Sequence, residues 1–275
     1  MEDFFESIKI RKVVGVFVLI TIIVMMLSII SEGIFKRIEQ DAYFWMIWIN
    51  TILLFWFIYK VRKSNIKVKD VIYRFKEQIK WSEVFKIIIM DMSFSIGFVF
   101  FLLGLLLKIN PNLAYKLLEE GDTNTLCSLI YQCIGAVLLA PIVEELLFRG
   151  VIFHRLKKRY SIGKAIIISS IAFGIMHMEL AIVGAFVTGI LLCLLYLKTK
   201  NILITMCAHF INNFIATLMQ IIGFFMDSSS ENEVFTPREI DIYFFTGLFL
   251  CIVAGYFVIK YVKKNWPKKV IMDEI

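Results

Sequence analysis

The stretch LCSLIYQCIGAVLLAPIVEELLFRGVIFHRL, residues 126–156, decides the fold. It is an apolar run longer than the ~20 residues a helix needs to cross hydrocarbon. Yet Glu144, Glu145 and Arg149 sit inside it, among Ala140, Val143, Leu146 and Leu147. An ionisable group at that depth costs about 2.5–3.5 kcal/mol on insertion scales. The segment therefore reads as a membrane span built around a polar centre.

Seven further apolar segments surround it, at roughly 13–31, 43–59, 85–107, 164–178, 180–197, 202–226 and 242–259. The expected fold is all-α: one polytopic membrane domain over residues 1–275, with about eight transmembrane helices and a central polar cavity. The fifth and sixth segments are short and nearly contiguous, joined around Met178-Glu179 as a tight hairpin or a broken pair. The run from Val13 to Ile30 is too long for a cleavable signal and has no small-x-small site after it, so it reads as the first span. Met272-Asp273-Glu274-Ile275 carries no lipidation signal.

Composition agrees. The 275 residues are 59% hydrophobic and only 19% charged, against about 25% charged in a soluble domain. Mean hydropathy is +0.79. The net charge of +7 reflects topology rather than nucleic-acid binding. With the N-terminus inside, 24 of the 30 Lys and Arg residues fall in inner segments and five in outer ones (Lys36, Arg37, Lys108, Lys116 and Arg238). That bias places both termini in the cytoplasm. The basic stretch from Lys60 to Lys86, interleaved with Val68, Val71, Ile72, Phe75, Ile79 and Trp81, reads as an interfacial helix. Cys127, Cys133, Cys193, Cys207 and Cys251 lie in apolar segments without a CxxC pair and read as buried thiols.

Neighbouring helical residues point about 100° apart, so Glu144 and Glu145 cannot share one task. Glu145 and Arg149 are four apart in acid-then-base order and read as a buried ion pair. Glu144 is left on another face as a candidate base. Two more polar clusters follow. Phe173-Gly174-Ile175-Met176-His177 lies in the fifth span. His209-Phe210-Ile211-Asn212-Asn213 lies in the seventh, with His209 and Asn213 on one face and able to donate to one point. Glu144 and His177 are each thirteen residues from an inner-boundary lysine, about 20 Å at 1.5 Å per residue. His209 lies roughly 14 Å deep. The clusters meet in one layer if the fourth helix runs on past Arg149 to about Leu156. Other polar residues fit blander roles. Asp91 and Ser93 line a helix contact, Ser169 and Ser170 lack a spaced base, and His154 is interfacial.

These motifs resemble the CPBP family of intramembrane endopeptidases (CAAX protease and bacteriocin-processing, or Abi), which includes the type II CAAX prenyl endopeptidases. The family pattern EExxxR, FxxxH, HxxxN/D appears as Glu144-Glu145…Arg149, Phe173…His177 and His209…Asn213, within a core at about 126–226. The resemblance implies peptide-bond hydrolysis in the membrane. Glu144 would activate water, His177 would hold it, and His209 with Asn213 would stabilise the oxyanion, with Glu145, Arg149 and Phe173 in support. It leaves open whether the site holds no cofactor or a divalent metal such as zinc on Glu144, His177, His209 and Asn213; the HExxH pattern is absent. The expected partners are membrane lipids and an apolar or lipidated peptide substrate, without nucleic acid. The expected location is a bacterial cytoplasmic membrane, with a role in peptide maturation or bacteriocin self-immunity. The rival classes are a non-catalytic scaffold or peptide-binding immunity protein, and a transporter with a proton relay. Retention of all four candidate catalytic residues weighs against the first. The lack of repeated halves weighs against the second.

Overall fold

The computed structural model describes residues 2–34, 42–121, 125–177, 179–226 and 235–268. The segments containing Lys36 and Arg37, the joint at Met178, and Lys269 with the C-terminal tetrapeptide lie outside them. Every regular element among the described residues is helical: α1 (Glu2–Ser7), α2 (Ile10–Ile34), α3 (Ala42–Arg62), α4 (Val68–Gln78), α5 (Trp81–Ile109), α6 (Pro111–Gly121), α7 (Leu126–Lys157), α8 (Ile162–Ile175), α9 (Ile182–Thr199), α10 (Ile202–Met226) and α11 (Pro237–Asn265). A 3-10 turn, Glu179–Ala181, precedes α9.

Seven of these helices are long and apolar enough to cross a membrane. The eighth apolar helix, α8, has only 14 residues, or about 21 Å at 1.5 Å per residue, short of a ~30 Å core. The sequence counts eight spans because α8 and the turn after it read as one apolar run. On either side of that joint, α8 packs against α9 so closely that Gly174 faces the Ile182 carbonyl and Gly189 faces Ser170.

The centre of the bundle is α9, where Leu191 to Tyr196 are all buried. Apolar residues on the outer helices face outward instead, among them Leu19, Ile29, Phe55, Phe245 and Phe249. In water such a surface would aggregate; in lipid it is the solvated face. The basic helix ends converge on one face. There Lys157 and Lys200 pair with Glu2, Lys158 with Glu6, and Lys198 with Glu83. The basic stretch expected at the interface contains α4, held by Asn201, whose side-chain amide donates to the Val71 carbonyl at 3.2 Å. At the opposite end, α11 starts with a capping box between Thr236 and Glu239 and a proline at N1.

Helix α11 lies along α5 at backbone contact. A Cβ on Gly97 would meet the Leu250 Cβ at 2.7 Å, and a Cβ on Gly247 would overlap the Phe101 backbone. Helices in lipid associate by such close packing rather than by hydrophobic drive. At Gly255 the nearest atom is a Phe94 ring carbon at 3.8 Å, an ordinary contact.

Of the five thiols expected to be buried, only one is, and Cys127, in α7's first turn, is exposed. Cys193 is buried, and Cys133, Cys207 and Cys251 are intermediate.

Two expected outcomes follow from this packing. Gly247→Ala lowers thermal stability in detergent by about 1–3 kcal/mol, whereas Gly255→Ala leaves it within about 0.5 kcal/mol. A thermal-shift comparison of the two variants checks this. The second outcome concerns α1, which docks on the basic end through Phe5, 1% exposed, and through Glu2. The hydrogen bond from Lys157 lowers the Glu2 carboxyl from 4.5 to about 2. A depressed carboxylate stabilises the folded form above its ordinary range and loses that contribution as pH falls through the folded value. Hydrogen-exchange protection of residues 2–8 is therefore full at about pH 6 and declines as pH drops from about 4.5 towards 2.

Candidate active site

Helix α7 is continuous from Leu126 to Lys157, as the depth argument requires, but it is not uniform. Two π-helical stretches, Cys133–Leu139 and Leu146–Ile152, flank a short α-helical piece, Ala140–Glu145, that carries both glutamates. Insertions of this kind recur at functional sites.

The first π stretch has a cause in the sequence. The Ala140 N–H donates five residues back, to the Gly135 carbonyl. The next donor in that pattern belongs to residue 141, which is proline and has none. The Ala136 carbonyl is thus left open, and the Asn213 side-chain amide donates to it at 2.8 Å. Asn213 was expected to point with His209 at one spot. Instead one of its N–H groups braces α7, leaving the other towards the cavity.

The second π stretch is closed by His154. Its Nδ1 lies 2.8 Å from the Arg149 carbonyl and 2.7 Å from that of Gly150, and its Nε2 lies 3.1 Å from the Tyr196 hydroxyl. His154 is fully buried, not interfacial. Its distance from the basic end misleads because α1 covers that end, with Phe5 against both His154 and Gly150.

The ion pair forms as expected. Arg149 donates to Glu145 Oε1 at 2.7 Å, with both side chains almost wholly buried. Glu145 Oε1 also takes His209 Nδ1 at 3.0 Å. The Arg149 guanidinium lies 4.3 Å from the centre of the Phe173 ring. That ring in turn packs against the imidazoles of His177 and His209. So Phe173 and Glu145 tie all three motifs together.

His177 sits just beyond α8, in a turn whose N–H reaches the Gly174 carbonyl at 3.0 Å, rather than inside a span. Its Nδ1 lies 2.9 Å from the Phe173 carbonyl. A carbonyl only accepts, so Nδ1 carries the proton and Nε2 offers a lone pair. The same reasoning holds for neutral His209, whose Nδ1 faces the Glu145 carboxylate. Both Nε2 atoms face Glu144 Oε2, at 3.9 Å from His177 and 3.8 Å from His209. Those gaps exceed direct hydrogen bonds and suit a shared water. Glu144 Oε2 has no hydrogen-bond partner within the protein.

The donor chemistry also fits a divalent cation. A metal-bound imidazole commonly gives its other N–H to a carboxylate or a carbonyl, and both kinds of partner are present. Even so, no group of three or more His, Cys, Asp or Glu side chains among the described residues is drawn together closely enough to hold a metal.

Two cavities meet at the site. One, of about 410 Å³, lies on the His209 side. The other, of about 540 Å³, lies on the Glu144 side. Both are lined by His177, Ala181, Asn213, Ala216 and Gln220. Asp91, expected at a helix contact, sits at one: Thr188 Oγ1 is 2.9 Å from each of its carboxylate oxygens, tying α5 to α9. Thr188 and the cavity amides carried no i, i+4 signal in the sequence, and only their intramembrane polarity marks them.

Fold and site together define an all-helical, multi-pass membrane protein with a polar, cavity-lined centre. Residues 126–215, about a third of the chain, match the family model described as "Type II CAAX prenyl endopeptidase Rce1-like", to which this core is similar. The chain is also 34% identical over 85 residues to YdiL of Bacillus subtilis (strain 168), named as a candidate membrane peptidase. That alignment covers 30% of this chain and 35% of YdiL, so it spans about a third of the relative's length. No solved structure matches the chain.

The imidazole assignments give an expected outcome. The protein has three histidines, so nitrogen NMR of histidine-labelled protein resolves each ring. All three are expected with the proton on Nδ1 when neutral. A spectrum placing it on Nε2 of His177 or His209 contradicts the described geometry.

Proposed function

We propose that this protein is an intramembrane endopeptidase that hydrolyses a peptide bond in a membrane-associated or lipidated peptide. The observation that carries the reading is the convergence of the two Nε2 atoms on the unpartnered Glu144 oxygen where two cavities join.

A water held there gives one O–H to Glu144 and the other to His177 Nε2. Its lone pair is then free to attack the scissile carbonyl carbon. Glu144 takes the proton as the C–O bond forms, and returns it to the departing amine as the C–N bond breaks. The oxyanion needs donors. Asn213 has its second N–H. His209 can donate at Nε2 only as the imidazolium, and the Glu145 carboxylate at its Nδ1 supplies the counter-charge. Arg149 and Phe173 fix that carboxylate and the imidazoles in place.

A second reading keeps both Nε2 lone pairs for a divalent cation, around which Glu144, His177 and His209 would have to draw closer than they stand here. When bound, such an ion would acidify the attacking water. The proposed setting is a bacterial cytoplasmic membrane with the basic face and both termini inside. There the substrate is a peptide undergoing maturation, or a bacteriocin to which the cell is immune.

Glu144→Gln is expected to lower cleavage by about 10²–10⁴-fold while leaving the melting temperature unchanged. Glu145→Gln leaves Arg149 buried without its counter-ion and is expected to cost about 3–5 kcal/mol of stability. Peptide mass spectrometry of membranes with and without the protein, together with melting curves, checks both. Processing that survives Glu144→Gln would sink the proposed base. Dialysis against a chelator with elemental analysis separates the two readings: loss of activity restored by zinc selects the cation.

A further inference from the structure

The 540 Å³ cavity is lined, besides Glu144, by three side-chain amides from three helices: Asn50 of α3, Gln132 of α7 and Gln220 of α10. Asn50 and Gln132 are 6% and 5% exposed. The Gln132 Nε2 donates to Gln220 Oε1, while the buried Gln132 Oε1 has no partner. An amide oxygen without a partner in an apolar setting costs about 1–3 kcal/mol. Amides that served only to join α7 and α10 would be placed to satisfy both ends. These leave an acceptor open, and they line a cavity continuous with the candidate catalytic groups.

We infer that Asn50, Gln132 and Gln220 form a subsite that binds the backbone of the substrate peptide to one side of the cleaved bond. This rests on the endopeptidase reading. The chemistry selects the ligand: these amides are neutral, and each offers both a donor and an acceptor. They complement the N–H and C=O of an extended peptide, not an anion or a cation. A purely hydrocarbon ligand would gain nothing from them and would leave them unsatisfied.

Distance sets the register. Gln220 lies seven residues beyond Asn213 on α10, about 10 Å along the axis. An extended chain covers that in about three residues, at about 3.3 Å each. The subsite thus holds the substrate backbone roughly three residues from the reacting carbonyl.

Gln132→Met, Gln220→Met and the double variant test this, since methionine keeps the length and suits an apolar cavity. The full chain is used throughout, reconstituted in lipid nanodiscs. Mass spectrometry comparing wild type with Glu144→Gln first identifies a cleaved peptide. Synthetic versions are then assayed at full length and shortened stepwise from each end. The expected result is a KM raised about threefold to tenfold by each substitution, with kcat within about twofold and melting temperature equal or higher. The KM effect disappears when one particular end is cut to fewer than about three residues from the cleaved bond. An unchanged KM, an effect indifferent to peptide length, or a lowered melting temperature with KM unmoved each overturns the subsite. If no product depends on Glu144, the endopeptidase reading fails and the subsite falls with it. Products that depend on Glu144 but have an insensitive KM refute the subsite alone.

Discussion

A guanidinium buried in a membrane protein has to be answered, and Arg149 is answered in three ways. Glu145 neutralises it at 2.7 Å, the Phe173 ring faces its plane, and its second terminal nitrogen reaches towards the carbonyls of Thr188 and Gly189 on α9. A buried pair of this kind adds little net stability, because desolvation offsets the attraction. Its effect here is to fix positions. Glu145 Oε1 serves Arg149 and His209 together, so the pair sets the distance between α7 and α10. Phe173 extends that constraint to α8 and His177. The glutamate beside it, Glu144, is thereby free to face the cavity unpaired.

The same economy governs the backbone. Hydrocarbon supplies no water for an open carbonyl, so each must be satisfied within the protein. Pro141 and the first π stretch in α7 leave the Ala136 carbonyl open, and at the end of the second the carbonyls of Arg149 and Gly150 share one side-chain N–H. Asn213 closes the first and His154 the other two. Asn213 therefore couples the geometry of α7 to the candidate oxyanion position. His154 couples it to Tyr196 and, through Phe5, to the N-terminal helix.

Much of this was legible in the sequence. Apolar runs and basic asymmetry marked the spans, and spacings of four placed Glu145 with Arg149 before any coordinates. Matched depths brought Glu144, His177 and His209 into one layer. The errors share a cause, which is that periodicity assumes a regular helix. It cannot register π insertions, so Asn213's bond to Ala136 and the burial of His154 were hidden. It also merges α8 with the turn beyond it, since both are apolar. The amides at Asn50, Gln132 and Gln220 come from separate helices with no shared spacing.

The shortness of α8 is what makes the site possible. A full span would carry regular backbone through the layer of Glu144 and keep His177 on a helix face. Because α8 stops after Ile175, the chain turns beside the layer of Glu144, with Ile175 and Met176 exposed and His177 facing the cavities. The turn lets the Phe173 carbonyl take His177 Nδ1 at 2.9 Å, which swings Nε2 towards Glu144. The 3-10 turn before α9 brings Ala181 to the junction of the two cavities. A small residue there leaves the passage open. The early end of α8 is thus the feature that sets His177 against the two cavities.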